Sequence, residues 1–287
     1  MQTQLFPRVA VLGAGTMGNG IAQVCAASGR VVSLYDVRLD LADRGKQAIA
    51  KTLDKAIELQ KSTPAEKEAA LSRVKITDQV ADAVRDADLV IEAAPENMAL
   101  KTDLFRQVSA AAREDAVLAS NTSSLSVTEI AAAMTHPQRG IGLHFFNPVP
   151  RMKLLEIVVG ERTSSDVVER SKRFADAIGK TAIVVKDSPG FASSRLGIAI
   201  AMEAIRMVEA GVASPADIDT AMKLGYAHPM GPLELTDLVG LDVRLSIAEH
   251  LHREVGEQFR PPQLLRRLVR AGKLGRKTGE GFYTYEK

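Results

Sequence analysis

The chain has 287 residues, 46% of them hydrophobic, which suits one large or two ordinary domains with a buried core. A net charge of +2 points to no nucleic acid and no membrane surface as a partner. Cys25 is the only cysteine, which excludes an intrachain disulfide and fits a reducing compartment, and no Cys/His cluster has zinc spacing, so no metal is expected.

The first eight residues lack a basic segment followed by a long apolar run, so no signal peptide is expected. Residues 9–29 are interrupted by glycines, Asn19 and Gln23, which makes a poor membrane span. Both readings point to a cytoplasmic protein. Short β-branched runs at 9–12, 31–35, 74–77, 89–93 and 117–120 predict buried strands. Helical stretches separate most of them, which predicts α/β architecture with a parallel, doubly wound sheet of Rossmann type. After the second strand, Leu41, Ile49, Leu53 and Ile57 recur at helical spacing over 39–60. Thr63, Pro64 and Glu66 then supply an N-cap, an N1 proline and a capping-box acid for a second helix. This helical insertion, about 39–72, is open to two readings: packing, or a wall beside a ligand site. Further strands are expected at 140–145, 153–159 and 182–186, with little helix between them, so part of the sheet is expected to be antiparallel.

Beyond Asp187-Ser188-Pro189-Gly190 the pattern changes. An apolar helix is predicted over 191–210, closed by Gly211. Ser214 and Pro215 open another, which Gly225 ends, and more helices are expected at 233–238, 242–254 and 262–271. The expected boundary separates a sheet domain, 1–187, from an all-α domain, 188–287.

The first strand runs into Gly13-Ala14-Gly15-Thr16-Met17-Gly18. In such a turn Gly13 permits a tight bend, Gly15 lets backbone approach a pyrophosphate, and Gly18 lets the next helix pack close to its strand. The helix N-terminus then presents free N–H groups to the phosphates. A second strand ends in Asp36, placed to bind ribose hydroxyls and to repel a 2′-phosphate, so NAD is favoured over NADP. Arg38, two residues on, qualifies that preference.

The segment Gly142-Leu143-His144-Phe145-Phe146-Asn147-Pro148 puts His144 near the end of a strand. The next strand carries Glu156 inside an apolar run, where a lone carboxylate is costly. If the strands are neighbours, Glu156 meets His144, and the imidazole serves either as a general base or as half of a structural pair. The polar run Ser120-Asn121-Thr122-Ser123-Ser124 follows a parallel strand, where ligands bind in open sheets. Capping of the helix expected at 127–134 is the alternative; Ser126 as cap and Ser123 as ligand contact are compatible. His136, His228, His250 and His252 show no comparable partner pattern.

Taken together, GAGTMGNGIA, Glu96 with Lys101, SNTSSLS, GLHFFNPVP with Glu156, SPGF, HPMGPLELTDLVGLD and GRKTGEGFY resemble the short-chain L-3-hydroxyacyl-CoA dehydrogenase family over nearly the whole chain. The resemblance implies an NAD-dependent enzyme of fatty acid metabolism that acts on an acyl-CoA, and a helical domain that binds substrate and forms a homodimer. It implies a catalytic set of His144 as base, Glu156 as its partner, and Ser123 and Asn147 as contacts to substrate and nicotinamide. Glu96, Lys101 and Lys277 would join Gly13, Ala14, Gly15, Thr16, Met17, Gly18 and Asp36 at the cofactor. Ser194 stands where the family usually has an asparagine thought to hold a substrate oxygen, which puts substrate positioning in doubt more than the reaction type. The insertion would border the coenzyme A site, with Lys51, Lys55 or Lys61 as candidates for its phosphates, Lys55 first among them; solvated surface lysines are the alternative. Two rival functions stay open from the residues: a related hydroxyacid or sugar-acid dehydrogenase of the L-gulonate 3-dehydrogenase type, and a non-catalytic NADH-binding protein.

Overall fold

The computed structural model describes residues 5–286 of the chain. By contact density the chain divides into two compact units, Met1–Asp187 and Ser188–Lys287. In the first, β1 (Arg8–Leu12) leads to α1 (Thr16–Ala27) and β2 (Val31–Tyr35). The insertion forms α2 (Leu39–Glu58) and α3 (Pro64–Ser72) before β3 (Val74–Thr77). Then come α4 (Val80–Val84), β4 (Leu89–Glu92), α5 (Met98–Ala111), β5 (Val117–Ser120) and α6 (Val127–Ala132). The unit ends with β6 (Gly140–Phe145), β7 (Leu154–Val159), α7 (Ser165–Ala177) and β8 (Thr181–Lys186).

The eight strands form one sheet in the order β3-β2-β1-β4-β5-β6-β7-β8. Alternation along the strands splits the core between the two faces. Val9 and Val11 join Ile21, Ile49 and Phe174 on one side; Ala10 and Leu12 join Val84, Phe105 and Ile130 on the other. Strands buried on both faces read as near-continuous hydrophobic runs, as β1, β4 and β5 do, apart from Glu92 and Ser120 at the carboxyl ends of β4 and β5. The expected parallel, doubly wound Rossmann-type sheet is therefore what forms.

Three details differ from the sequence expectation. α7 separates β7 from β8, where little helix was expected, so β7 and β8 are parallel and only the β6–β7 pair is antiparallel. Its signal was present: Ser164 caps it, and Val167, Ser171, Phe174 and Ala175 form a buried stripe among charged neighbours. The helix expected from 191 starts at Ser193, because Phe191 takes a φ of 48° that no helix admits. The helix expected to reach 60 stops at Glu58, and Gln60 has a φ of 55°. The capping box at Thr63 forms in full, with Glu66 N–H donating to the Thr63 hydroxyl and Thr63 N–H donating to the Glu66 carboxylate.

The second unit holds α8 (Ser193–Glu209), α9 (Pro215–Gly225), α10 (Pro232–Val239), α11 (Leu241–Glu254) and α12 (Gln263–Arg270). Ile198, Met202, Leu233, Leu241, Leu251 and Leu265 make its core, and no strand forms there among the described residues. Two buried carboxylates clasp the C-terminal segment onto these helices. Asp237 accepts from Phe282 N–H, Tyr283 N–H and Tyr285 Oη. Asp219 accepts from Leu233 N–H, Glu234 N–H and Tyr283 Oη. Burial, together with the carboxylate it donates to, pushes the Tyr285 phenol up to about 12. Asp237→Ala strands two part-buried N–H donors and a phenol, and hydrogen bonds to charged groups contribute about 1.5–3 kcal/mol each. The expected result is a loss of about 3 kcal/mol or more in the urea unfolding of the second unit; an unchanged midpoint would refute the clasp.

Candidate active site

The sheet reverses its winding between β1 and β4, and ligands bind beyond the carboxyl ends of strands at such a point. A cleft of about 740 Å3 lies there, lined by Gly13, Gly15, Tyr35, Asp36, Ala94 and Pro95 among others. Gly13 has a φ of 102°, and a side chain there would meet the Ala93 carbonyl. Gly18 lies so close to the turn that a Cβ would sit 1.7 Å from the Gly13 carbonyl oxygen. Gly15 has nothing within 4 Å of its missing Cβ, so its face is open to the cleft. No side chain caps α1, which leaves the helix N-terminus available to an anion. Asp36 uses one oxygen to accept from Ala14 N–H and the other to accept from Val37 N–H, which braces the acid beside the glycine turn. Arg38 is held in a fork by Asp40, with both contacts at 2.9 Å, so its charge is already engaged. This cradle fits a dinucleotide without a 2′-phosphate. Ala14, Thr16 and Met17 lie within it, Thr16 and Met17 opening α1.

His144 lies in β6 directly opposite Glu156 in β7. Its Nδ1 is 2.7 Å from Glu156 Oε2. Glu156 is fully buried and His144 is 6% exposed. An ionised carboxylate only accepts, so Nδ1 carries the proton and proton exchange with a ligand falls to Nε2. The Phe146 ring packs on the imidazole with centroids 4.3 Å apart. Antiparallel pairing alone accounts for the meeting, since residues in register share a face. Asn147 follows β6 and is joined to Pro148 by a cis peptide bond.

Parallel pairing puts the carboxyl ends of β1, β4, β5 and β6 at one edge of the sheet. The Ser123 loop therefore leaves the same edge as the glycine turn and the end of β6. Asn121, which the sequence reading left without a role, ties the two loops together: its Oδ1 accepts from Phe145 N–H at 2.8 Å. Glu96 reaches the Ser123 loop directly, accepting from Thr122 Oγ1, Ser123 N–H and Ser123 Oγ. Burial alone would raise the Glu96 carboxyl, but Lys101 and these donors outweigh it and hold it below the usual glutamate range. Lys101 is 1% exposed, and its ammonium faces Glu92 at 2.6 Å, the Ala94 carbonyl at 3.2 Å and Glu96 at 3.3 Å. Three acceptors account for its three N–H bonds.

The remaining candidates lie on other elements. Lys55 lies on α2 and is exposed, paired with Glu58. Ser194 is in the first turn of α8, in the second unit. Lys277, also in the second unit, pairs with both oxygens of Asp242. His252, for which the sequence showed no partner, meets Glu257 at 2.9 Å. Among the described residues no group of His, Cys, Asp and Glu could hold a metal ion.

Comparisons with known proteins agree with this geometry. Residues 8–188 match the family model of the 3-hydroxyacyl-CoA dehydrogenase NAD binding domain, and residues 190–285 match that of the 3-hydroxyacyl-CoA dehydrogenase C-terminal domain. The "Probable 3-hydroxybutyryl-CoA dehydrogenase" of Bacillus subtilis (strain 168) is 47% identical over 280 residues, 97% of each chain. The 3-hydroxybutyryl-CoA dehydrogenase of Clostridioides difficile is 44% identical over 98% of this chain and 100% of its own. The crystal structure of (S)-3-hydroxybutyryl-CoA dehydrogenase from Ralstonia eutropha superposes with a TM-score of 0.94 at 43% identity, covering 98% of this chain and 100% of that one. With both halves of the chain matched and a dinucleotide cradle at the switch point, the protein belongs to the 3-hydroxyacyl-CoA dehydrogenase family and is an NAD-dependent enzyme.

Proposed function

We propose that the enzyme transfers hydride between C3 of a short-chain (S)-3-hydroxyacyl-CoA, with 3-hydroxybutyryl-CoA as the expected substrate, and NAD. The observation that carries this reading is the buried His144–Glu156 pair at the edge of the sheet where the glycine cradle opens. The nicotinamide ring, when bound, accepts or supplies the hydride. His144 Nε2 takes the 3-hydroxyl proton during oxidation and returns it during reduction of the 3-oxoacyl-CoA. Glu156 fixes the ring orientation through Nδ1 and stabilises the imidazolium that forms. Ser123 and Asn147 orient substrate and nicotinamide from the loops after β5 and β6. Asp36 takes the adenosine ribose, and Gly13, Ala14, Gly15, Thr16, Met17 and Gly18 line the pyrophosphate. Glu96, with Lys101 behind it, serves the nicotinamide half, and Lys277 is a further cofactor contact. Ser194 positions the acyl group with a hydroxyl, and Lys55 meets coenzyme A phosphate.

We assign the protein to the cytoplasm; among the described residues no helix is long and apolar enough to cross a membrane. A homodimer through the helical unit is supported by its exposed apolar side chains. Leu196 of α8, Leu238 of α10 and Val243 of α11 are between 41% and 65% exposed. Sedimentation equilibrium is expected to give twice the chain mass.

The test of function is turnover of 3-oxoacyl-CoAs from C4 to C16 with NADH and NADPH in parallel, with free coenzyme A as competitor. The expected result is fastest turnover at C4 with NADH, inhibited by coenzyme A; no turnover of any thioester would overturn the reading. Glu156→Gln keeps the shape of the pair and removes its charge. It is expected to lower kcat by about 10²-fold or more with NADH binding intact. Wild-type kcat in this variant would show that the pair is only structural.

A further inference from the structure

Glu92 ends β4 and has no exposed surface, yet no step described above uses it. Both of its oxygens are engaged. Oε1 accepts from Lys101 Nζ at 2.6 Å and from Ala94 N–H at 2.7 Å. Oε2 accepts from Ser120 Oγ at 2.6 Å. From this acid two arms run to the loop after β5. In one, the Ser120 hydroxyl that donates to Glu92 accepts from Thr122 N–H at 3.2 Å. In the other, Lys101 spans from Glu92 to Glu96, and Glu96 accepts from Thr122 Oγ1 at 2.7 Å, Ser123 N–H at 2.9 Å and Ser123 Oγ at 3.2 Å. Ser123 Oγ, by donating its proton to Glu96, turns its lone pairs outward as an acceptor.

A buried ion pair is weak as a source of stability, because desolvation of both charges offsets their attraction. Such a pair persists more readily where it sets geometry. Here the geometry has a specific readout: Lys101 has no N–H to spare beyond its three acceptors, so its effect on a ligand passes through Glu96. We propose that Glu92 is a positioning residue that sets the direction of the Ser123 hydroxyl through Lys101–Glu96 and Ser120–Thr122. The inference rests on Ser123 facing the reacting groups, as proposed above.

The experiment is a set of variants of the full chain, followed by kcat and KM on acetoacetyl-CoA, NADH affinity by fluorescence, and Tm. Glu92→Gln is expected to lower kcat roughly tenfold, with a smaller loss in NADH affinity because most of the cofactor cradle is untouched. Ser123→Ala is expected to lower kcat in the wild-type background and to cost little further in the Glu92→Gln background, because the hydroxyl has already lost its direction. Equal losses in both backgrounds would overturn the proposal. Glu92→Leu with Lys101→Met removes both buried charges at similar volume, so Tm is expected to return toward the wild type while kcat does not. Recovery of kcat together with Tm would show that Glu92 only neutralises Lys101, and would also overturn it. This double variant supplies the kinetics if Glu92→Gln alone folds poorly. Failure of the wild-type chain to turn over acetoacetyl-CoA would instead refute the assigned function, which separates the two failures.

Discussion

His144→Gln is expected to lower kcat for acetoacetyl-CoA reduction by about 10²–10⁴-fold, the range that a positioned acid–base group contributes. Glutamine keeps an amide near the position of the ring and can still donate an N–H to Glu156, so the strand pair β6–β7 is expected to stay intact. What it lacks is a basic ring nitrogen that can take the substrate proton and give it back. NADH affinity is expected to stay within about threefold of the wild type, since the cradle that would bind the cofactor is formed by β1, β2 and the turn between β1 and α1. The measurements are single-turnover reduction and NADH fluorescence titration on the same preparation. Wild-type turnover in the variant would remove His144 as the acid–base group. Loss of NADH binding alongside turnover would mean that the residue is holding structure rather than moving protons.

The second large effect is expected at Gly18, with Gly15 as its control. A Cβ at 18 falls 1.7 Å from the Gly13 carbonyl oxygen and 2.8 Å from its carbon. Both are backbone atoms, so nothing flexible can yield, and α1 must move off β1. Gly18→Ala should therefore cost about 3 kcal/mol or more of stability, at the upper end of overpacking effects, and should abolish NADH binding. Gly15 is different. Its φ of −64° suits any residue, and no atom lies within 4 Å of the added Cβ. Gly15→Ala is expected to leave Tm unchanged and to weaken NADH by about tenfold or more, because the methyl group occupies the place of the pyrophosphate. Urea unfolding and fluorescence titration separate the two variants. Undiminished NADH affinity in Gly15→Ala would place the cofactor somewhere other than this cleft.

How much of this could be read in advance depended on the range of the interaction. The capping box at Thr63 is local, fixed by residues three positions apart; the glycine turn and the acid after β2 carry a motif spacing, and all three form where the sequence placed them. α7 is equally local but carries a weaker signal: its buried stripe of Val167, Ser171, Phe174 and Ala175 includes a serine and an alanine and is set among charged neighbours, so it lacks a continuous apolar period. Its consequence reached further: one helix changes the direction of a strand, so β8 runs parallel to β7. Asn121 was quoted within a motif, yet its bond to Phe145 N–H depends on β5 and β6 being neighbours, which no spacing reveals. Glu92 carried less signal still. It sits in an apolar run just as Glu156 does, but its partners come from α5 and β5, 9 and 28 residues away.

Sequence by itself determined the doubly wound α/β domain, the helical domain that follows it, the dinucleotide turn and the residue types available for acid–base chemistry. Periodicity and short-range sterics act along the chain, so they are written in it. Only the tertiary structure decided that His144 Nδ1 lies 2.7 Å from Glu156, that Lys101 is spent on Glu92 and Glu96, and that Asn121 ties the loop after β5 to Phe145. Those outcomes depend on strand register and on competition between nearby acceptors, and both are settled when distant segments pack against each other.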